Sequence, residues 1–274
     1  MSIQTQQNKR RKSMQQSSWW RALILQAWLP AVALVVIWFV SPKINSIYFP
    51  AARTVFDRTI EVWFPEALIS DLLPSLSRLA IGFGLALLIG MFLGVILGLS
   101  RSAESAAFPL TETARAIPGI ALLPIAMMFF GTGDSMKLLM IVFVSMWPIV
   151  LNTIEGVRSV DPNLHKVMSS FRIRPLDRLS KIYLPAAMPH IFSGVRISLA
   201  VAVGVMVAAE MFGTPGGIGY FIREAQQTFR IVDMWTGLLI LGIFGYLLNV
   251  LFRVLESRIL GWHKRMVKHV EGAS

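Results

Sequence analysis

An all-α, polytopic membrane protein with six transmembrane helices is the fold class this sequence predicts, and three observations carry it. Apolar residues fill 55% of the 274 positions and charged residues only 15%, a balance outside the range of soluble domains. The apolar residues gather into runs of roughly 20, the length that crosses the hydrocarbon of a bilayer. The lysines and arginines behind the net charge of +11 lie mainly in the loops and tails next to those runs, as positive-inside bias requires, so the charge does not point to nucleic acid.

Taken in order, residues 1–18 are polar, with the run Lys9-Arg10-Arg11-Lys12, and read as a disordered cytoplasmic tail. The apolar run Ala22–Val40 is too long for the core of a signal peptide and is expected to be an uncleaved first span. Residues 41–75, with Asp57, Glu61, Glu66, Asp71, Pro50, Pro65 and Pro74, read as an extracytoplasmic loop with short surface helices. In the second span, about Leu79–Leu99, Gly82, Ala86, Gly90, Gly94 and Gly98 recur every four residues. That stripe lets another helix approach closely, within the subunit or across a dimer.

The third span ends near Phe130 and is broken by Pro118 and Pro124, a pattern of helices that bend to line a pathway. A turn at 131–135 leads to the fourth span, Leu138–Ile154. The fifth, about Gly194–Phe212, has a second small stripe at Ala200, Gly204 and Ala208. A Gly-rich loop and a polar stretch fill 213–233, and the sixth span, Trp235–Leu251, runs into a basic tail. The domain reading is a tail to residue 18, a six-span transmembrane domain over 19–262 with a cytoplasmic loop at 155–191, and a tail from 263.

Between the fourth and fifth spans lies the one long polar segment with its own helical pattern. Asp161-Pro162 reads as an N-cap and first-position proline. Leu164, Val167, Met168 and Phe171 follow at i, i+3, i+4 and i+7, one face of a helix. Pro175 stops that helix and starts another, in which Leu176, Leu179 and Tyr183 share a side, and Pro185 and Pro189 are expected to close the segment. Two short amphipathic helices between spans need a receiver for their apolar face, and a partner protein is expected.

Orientation follows from charge. Counting Arg21 with the N-terminal tail and Arg158 with the 161–185 loop, eighteen of the 26 lysines and arginines fall in those two segments, the second-to-third loop and the C-terminal tail, and seven on the opposite side. Both termini and the amphipathic pair are therefore expected in the cytoplasm.

Several chemistries are excluded. The absence of cysteine removes thiolate metal sites, iron–sulfur clusters and cysteine nucleophiles. No GxxxxGK[ST] loop, HExxH pair or GxSxG elbow occurs, and His165, His190, His263 and His269 have no metal-ligand spacing. Glu210, near the end of the fifth span, has two readings: a polar group at a gate or solute path, or a snorkelling or paired residue at the interface. Arg78, Glu112, Arg115 and Arg196 read as interface anchors.

Seven segments carry a family likeness: YFPAARTV (48–55), SLSRLAIGF (75–83), RAIPGIALLPIAMMFFGTGDSMK (115–137), FVSMWPIVLNTIEGVRSVDPNL (143–164), YLPAAMPHIFSGVRISL (183–199), VAAEMF (207–212) and GGIGYFI (216–222). In that order and spacing the chain resembles the permease subunit of binding-protein-dependent ATP-binding-cassette importers, in the taurine, aliphatic-sulfonate and nitrate branch. The resemblance implies a bacterial inner-membrane protein with no catalytic, metal or cofactor site. ATP and magnesium would be held by two copies of a separate ATPase. The other implied partners are an extracytoplasmic solute-binding protein and a second permease, as homodimer or as heterodimer with a more typical subunit.

In the family, the cytoplasmic loop carries a coupling helix with the pattern E-A-A-x3-G, followed by Leu-Pro. Aligned on Asp161-Pro162 and Leu184-Pro185, its Glu falls on Lys166, its alanines on Val167 and Met168, and its Gly on Arg172. The pattern is not kept, but the apolar stripe is. The resemblance thus implies ATPase coupling through Asp161, Leu164, Lys166, Val167, Met168, Phe171, Arg172 and Leu176. It also implies a path or gate at Pro118, Pro124, Glu210, Gly216, Gly217 and Gly219, with Trp147 and Phe129 as further lining. The competing readings are a secondary transporter or channel driven by an ion gradient and, more remotely, a membrane-embedded enzyme.

Overall fold

The computed structural model describes residues 28, 32, 35–44 and 46–261. The expected tails lie outside these residues, and so does most of the expected first span; within it, 35–40 are helical. The described residues are helices and connecting turns, with no strand among them.

The chain divides into two compact units at Glu61. In the first, a 3₁₀ turn Ser41–Lys43 precedes α1 (Ala52–Val62), and the Ser41 hydroxyl accepts from the Ala52 N–H at 2.9 Å. Exposed pairs Arg53–Asp57 and Arg58–Glu61 lie along α1.

The second unit holds α2 (Leu73–Leu99), α3 (Arg101–Ala116), α4 (Leu123–Phe130), α5 (Asp134–Arg158), α6 (Pro162–Ser170), α7 (Leu184–Phe212), α8 (Ile218–Gln227) and α9 (Ile231–Ile259). Four helical stretches among the described residues are long and apolar enough to cross a membrane: Glu66–Leu99, Asp134–Arg158, Pro175–Phe212 and Ile231–Ile259. The expected third span is instead a bent pair, α3 and a Gly119–Phe130 arm set at 91°. Ile117 is extended (ψ 122) because it precedes Pro118, whose ring disfavours a helical neighbour.

Two spans begin earlier than their apolar runs suggested. Pro74 and Pro185 lack the N–H of a regular turn, and the chain accommodates each by widening the turn before it. The Leu73 N–H bonds back to Leu68 and that of Leu184 to Leu179, so π-helical turns join Glu66 to α2 and Pro175 to α7. The second amphipathic helix of the loop is therefore the foot of the fifth span, not a separate element ended by Pro185.

α5 stands in the middle of the core. The α2 stripe lies on it: a Cβ at Gly82, Gly90, Gly94 or Gly98 would come within 3 Å of Ile141, Ile149, Thr153 or Val157. This seam is within the subunit. α7 closes on the other side, where a Cβ at Gly194 would meet Asn152 at 2.7 Å and one at Gly156 would meet Ala187 at 2.9 Å. Contacts this close trade side-chain bulk for backbone proximity, the usual basis of helix association in lipid. Ala200 and Gly204 of the second small stripe stay exposed.

The polar stretch after the Gly-rich loop also forms a helix. Ile218, Phe221, Ile222 and Ala225 of α8 share one buried face at helical spacing. Phe221 meets Trp63 edge-on with centroids 5.0 Å apart, and the Trp63 indole donates to Thr236 at 3.1 Å. α9 turns most of its apolar surface outward, as a helix facing lipid does.

Candidate functional site

Two sites stand at opposite ends of α5 and α7. At one end is the loop after Arg158. Asp161 caps α6 by accepting from the Asn163 N–H at 2.7 Å, and Pro162 occupies the first turn. At the other end of α6 the N–H of Ile173 returns to the Met168 carbonyl and that of Arg172 to Ser169, both at 3.1 Å. This is a Schellman closure, in which Arg172 takes the left-handed position at φ 48. Arg172 is thus a non-glycine residue where the fold favours glycine. Arg178 ties α6 to the foot of α7 by donating to the carbonyls of Ile173 (2.7 Å) and Met168 (3.2 Å).

The apolar stripe of α6 is split by the fold. Met168 is buried at 1% exposure, so it belongs to the inside of the loop rather than to the free face on which spacing alone grouped it. Leu164 and Val167 are exposed, and Phe171 and Leu176 are 76% and 79% exposed. Among the described residues nothing covers those four. Lys166 lies on the helical backbone between them.

At the other end a buried charge cluster holds the Gly-rich loop. Glu210, fully buried on α7, accepts from the Ser75 hydroxyl (2.8 and 2.9 Å), from Arg78 Nη1 (2.9 Å) and from the Gly219 N–H (3.0 Å). Arg78 also donates to the Gly216 carbonyl at 3.0 Å and, through Nε, to Asp134 at 2.8 Å. Lys137, with no exposed surface, donates to the Thr214 carbonyl at 3.0 Å and lies 3.6 Å from Asp134. The Thr214 N–H reaches Thr132, Gly217 donates to Asp71 at 3.3 Å, and the Ile218 N–H donates to Ser75.

Residues from α2, α5 and α7 thus bind every turn of 213–219. Gly217 sits at φ +116, and a Cβ there would lie 2.4 Å from Glu210 Cδ. Only glycine fits both the backbone and the gap. Buried charges are tolerated because each is paired, Glu210 with Arg78 and Lys137 with Asp134.

Of the expected path residues, Glu210, Gly216, Gly217 and Gly219 come together in this cluster, and Glu210 is paired rather than snorkelling. Pro118 lies at the bend between α3 and the Gly119–Phe130 arm, and Pro124 in the first turn of α4, neither of them among the residues whose bonds hold the cluster. Sequence reasoning missed Ser75, Asp134 and Lys137, and read Arg78 as an interface anchor. The available signal was three ionisable residues, Arg78, Asp134 and Lys137, within a turn or two of span ends.

Residues 86–261 match the family described as binding-protein-dependent transport system inner membrane component. The chain is 31% identical over 195 residues to the nitrate import permease protein NrtB of Leptolyngbya laminosa, covering 71% of this chain and 70% of the relative. It is 28% identical over 240 residues to the taurine transport system permease protein TauC of Escherichia coli (strain K12), covering 85% and 87%. Its fold is similar to a chain of the MetNI methionine ABC transporter in inward-facing conformations, with a TM-score of 0.58, 19% identity, and coverage of 68% of this chain and 91% of that one.

Proposed function

The chain belongs to the family of binding-protein-dependent transport inner-membrane components, as an ATP-binding-cassette importer permease of the taurine, aliphatic-sulfonate and nitrate branch, and from that premise we propose how it works. It forms part of the route by which a small oxyanion crosses the inner membrane, and it takes its energy from a separate ATPase docked on α6. A second permease completes the route and a binding protein delivers the solute. The α6 loop and both termini face the cytoplasm.

The observation that carries this reading is the uncovered apolar face of Leu164, Val167, Phe171 and Leu176 on a loop tied directly to a span. Exposed large apolar groups on a short, ordered helix mark a contact with another protein. From Pro175 to Phe212 the chain is one helical stretch of 38 residues, about 57 Å at 1.5 Å per residue. Movement of α6 is passed by the Arg178 bonds to the foot of this stretch, and its far end carries Glu210 and the Gly-rich loop. ATP-driven association of the ATPase subunits then favours one arrangement of the permease pair over the other. This chain positions and gates; nucleotide chemistry is left to the partner.

Because the chain has no cysteine, single reporter thiols test the docking directly. In membranes containing the assembled complex, a short cross-linker should join Phe171→Cys, but not Ile243→Cys on α9, to the ATPase. Absence of that cross-link in a complex that imports solute would refute the docking face.

A further inference from the structure

A second polar feature lies away from both sites. Between α3 and α5 an open cleft of about 530 Å³ is lined by Glu112, Arg115, Trp147, Pro148 and Asn152, among others. Trp147 and Asn152 stand eleven and six residues before Arg158, hence about 17 and 9 Å along the helix from that end, within the thickness of the hydrocarbon. A guanidinium at that depth faces water or a ligand rather than lipid. Arg115 is half exposed in this chain, and its described bond goes through Nη2 to Glu112 at 2.6 Å, one of the five N–H groups it carries.

Neutral donors stand opposite. Asn152 gives one side-chain N–H to the Pro148 carbonyl and keeps its other. Trp147 is buried, packs edge-on against Phe143, and its indole Nε1–H has no acceptor among the described residues. A buried donor without an acceptor is costly, and a ligand can supply one.

We propose that this cleft is an oxyanion subsite, in which Arg115 supplies the charge and Asn152 and Trp147 supply neutral donors. The proposal rests on the reading of the chain as an importer permease and adds the groups that touch the solute. A planar guanidinium matches a sulfonate, nitrate or carboxylate, presenting two parallel N–H groups to two oxygens. Glu112 offsets part of the positive charge, so the anion is held weakly, as a stepping site on a route must hold it. Phosphate of a lipid headgroup shares this chemistry but belongs at the membrane surface.

The test uses the complex of this chain with its ATPase in nanodiscs, made of phosphatidylcholine alone or with phosphatidylglycerol, and equilibrium dialysis with radiolabelled methanesulfonate. Saturable binding is expected in both lipids, competed by nitrate and not by choline. Arg115→Gln should weaken it about tenfold, the loss of one charge-assisted contact, Arg115→Lys less, and Arg253→Gln on α9 not at all. Trp147→Phe should weaken it about threefold. Absence of saturable binding, loss of binding on adding phosphatidylglycerol, or equal binding by Arg115→Gln would overturn the subsite. Stimulation of the ATPase by loaded binding protein, measured on the same complexes, separates the two claims. If stimulation persists, only the subsite falls; if the unaltered complex shows none, the permease reading falls with it.

Discussion

Arg78 and Glu210 are 132 positions apart and form an ion pair of 2.9 Å, with Glu210 fully buried, joining one end of α2 to one end of α7. Removing Arg78 strands Glu210 in the interior without a counterion, and removing Glu210 leaves Arg78 to Asp134 alone and takes the buried acceptor from the Ser75 hydroxyl and the Gly219 N–H. Glu210→Ala should therefore lower stability by about 3–5 kcal/mol, read as a drop in melting temperature in detergent. The double variant Arg78→Met/Glu210→Met should recover much of the loss. If the double variant is as unstable as the sum of the single ones, the pair is not what holds this end together.

Gly217 makes a sharper probe of the same region. At φ +116 and facing Glu210, it should not accept alanine, whereas Gly133, at φ −78 with open space around it, should. Gly217→Ala is expected to reduce solute import strongly and to expose the 213–219 amides to hydrogen exchange. Gly133→Ala should do neither.

Arg172 offers a prediction of opposite sign. Its left-handed backbone costs an L-residue roughly 1–2 kcal/mol that glycine avoids. Arg172→Gly should slow amide exchange across 162–170, and Arg172→Val should speed it. Equal exchange in all three proteins would mean that the closure after α6 is not the element that sets its stability.

Phe171 is the most exposed large apolar residue of α6 and its closing turn. Phe171→Asp should abolish solute-stimulated ATP hydrolysis by the assembled complex while insertion into the membrane is unchanged. Unaltered stimulation would reject the docking face.

Much of this architecture was legible because lipid imposes simple rules. The glycines at 82, 90, 94 and 98 announced a close helix contact, and Asp161-Pro162 announced the start of α6. What escaped was whatever depends on partners distant in sequence. Nothing near Arg78 reveals that Glu210 and Asp134 will meet it, nor does anything near Lys137 point to Thr214. Met168 keeps the spacing of its exposed neighbours, and only the fold decides which edge of the stripe turns inward. α8 was readable from Ile218, Phe221, Ile222 and Ala225, but the polar residues between them masked it. Pro185 misled because a π turn absorbs it.

α5 touches backbone-close surfaces on both flanks, α2 through Gly82 to Gly98 and α7 through Gly156 and Gly194. Neighbours interlocked at that range cannot slip lengthwise without collision, so the trio must rock as a single slab. Opening and closing then become questions of tilt, taken up at its margins, where the α3–α4 arm bends by 91° and α9 is little buried by its neighbours.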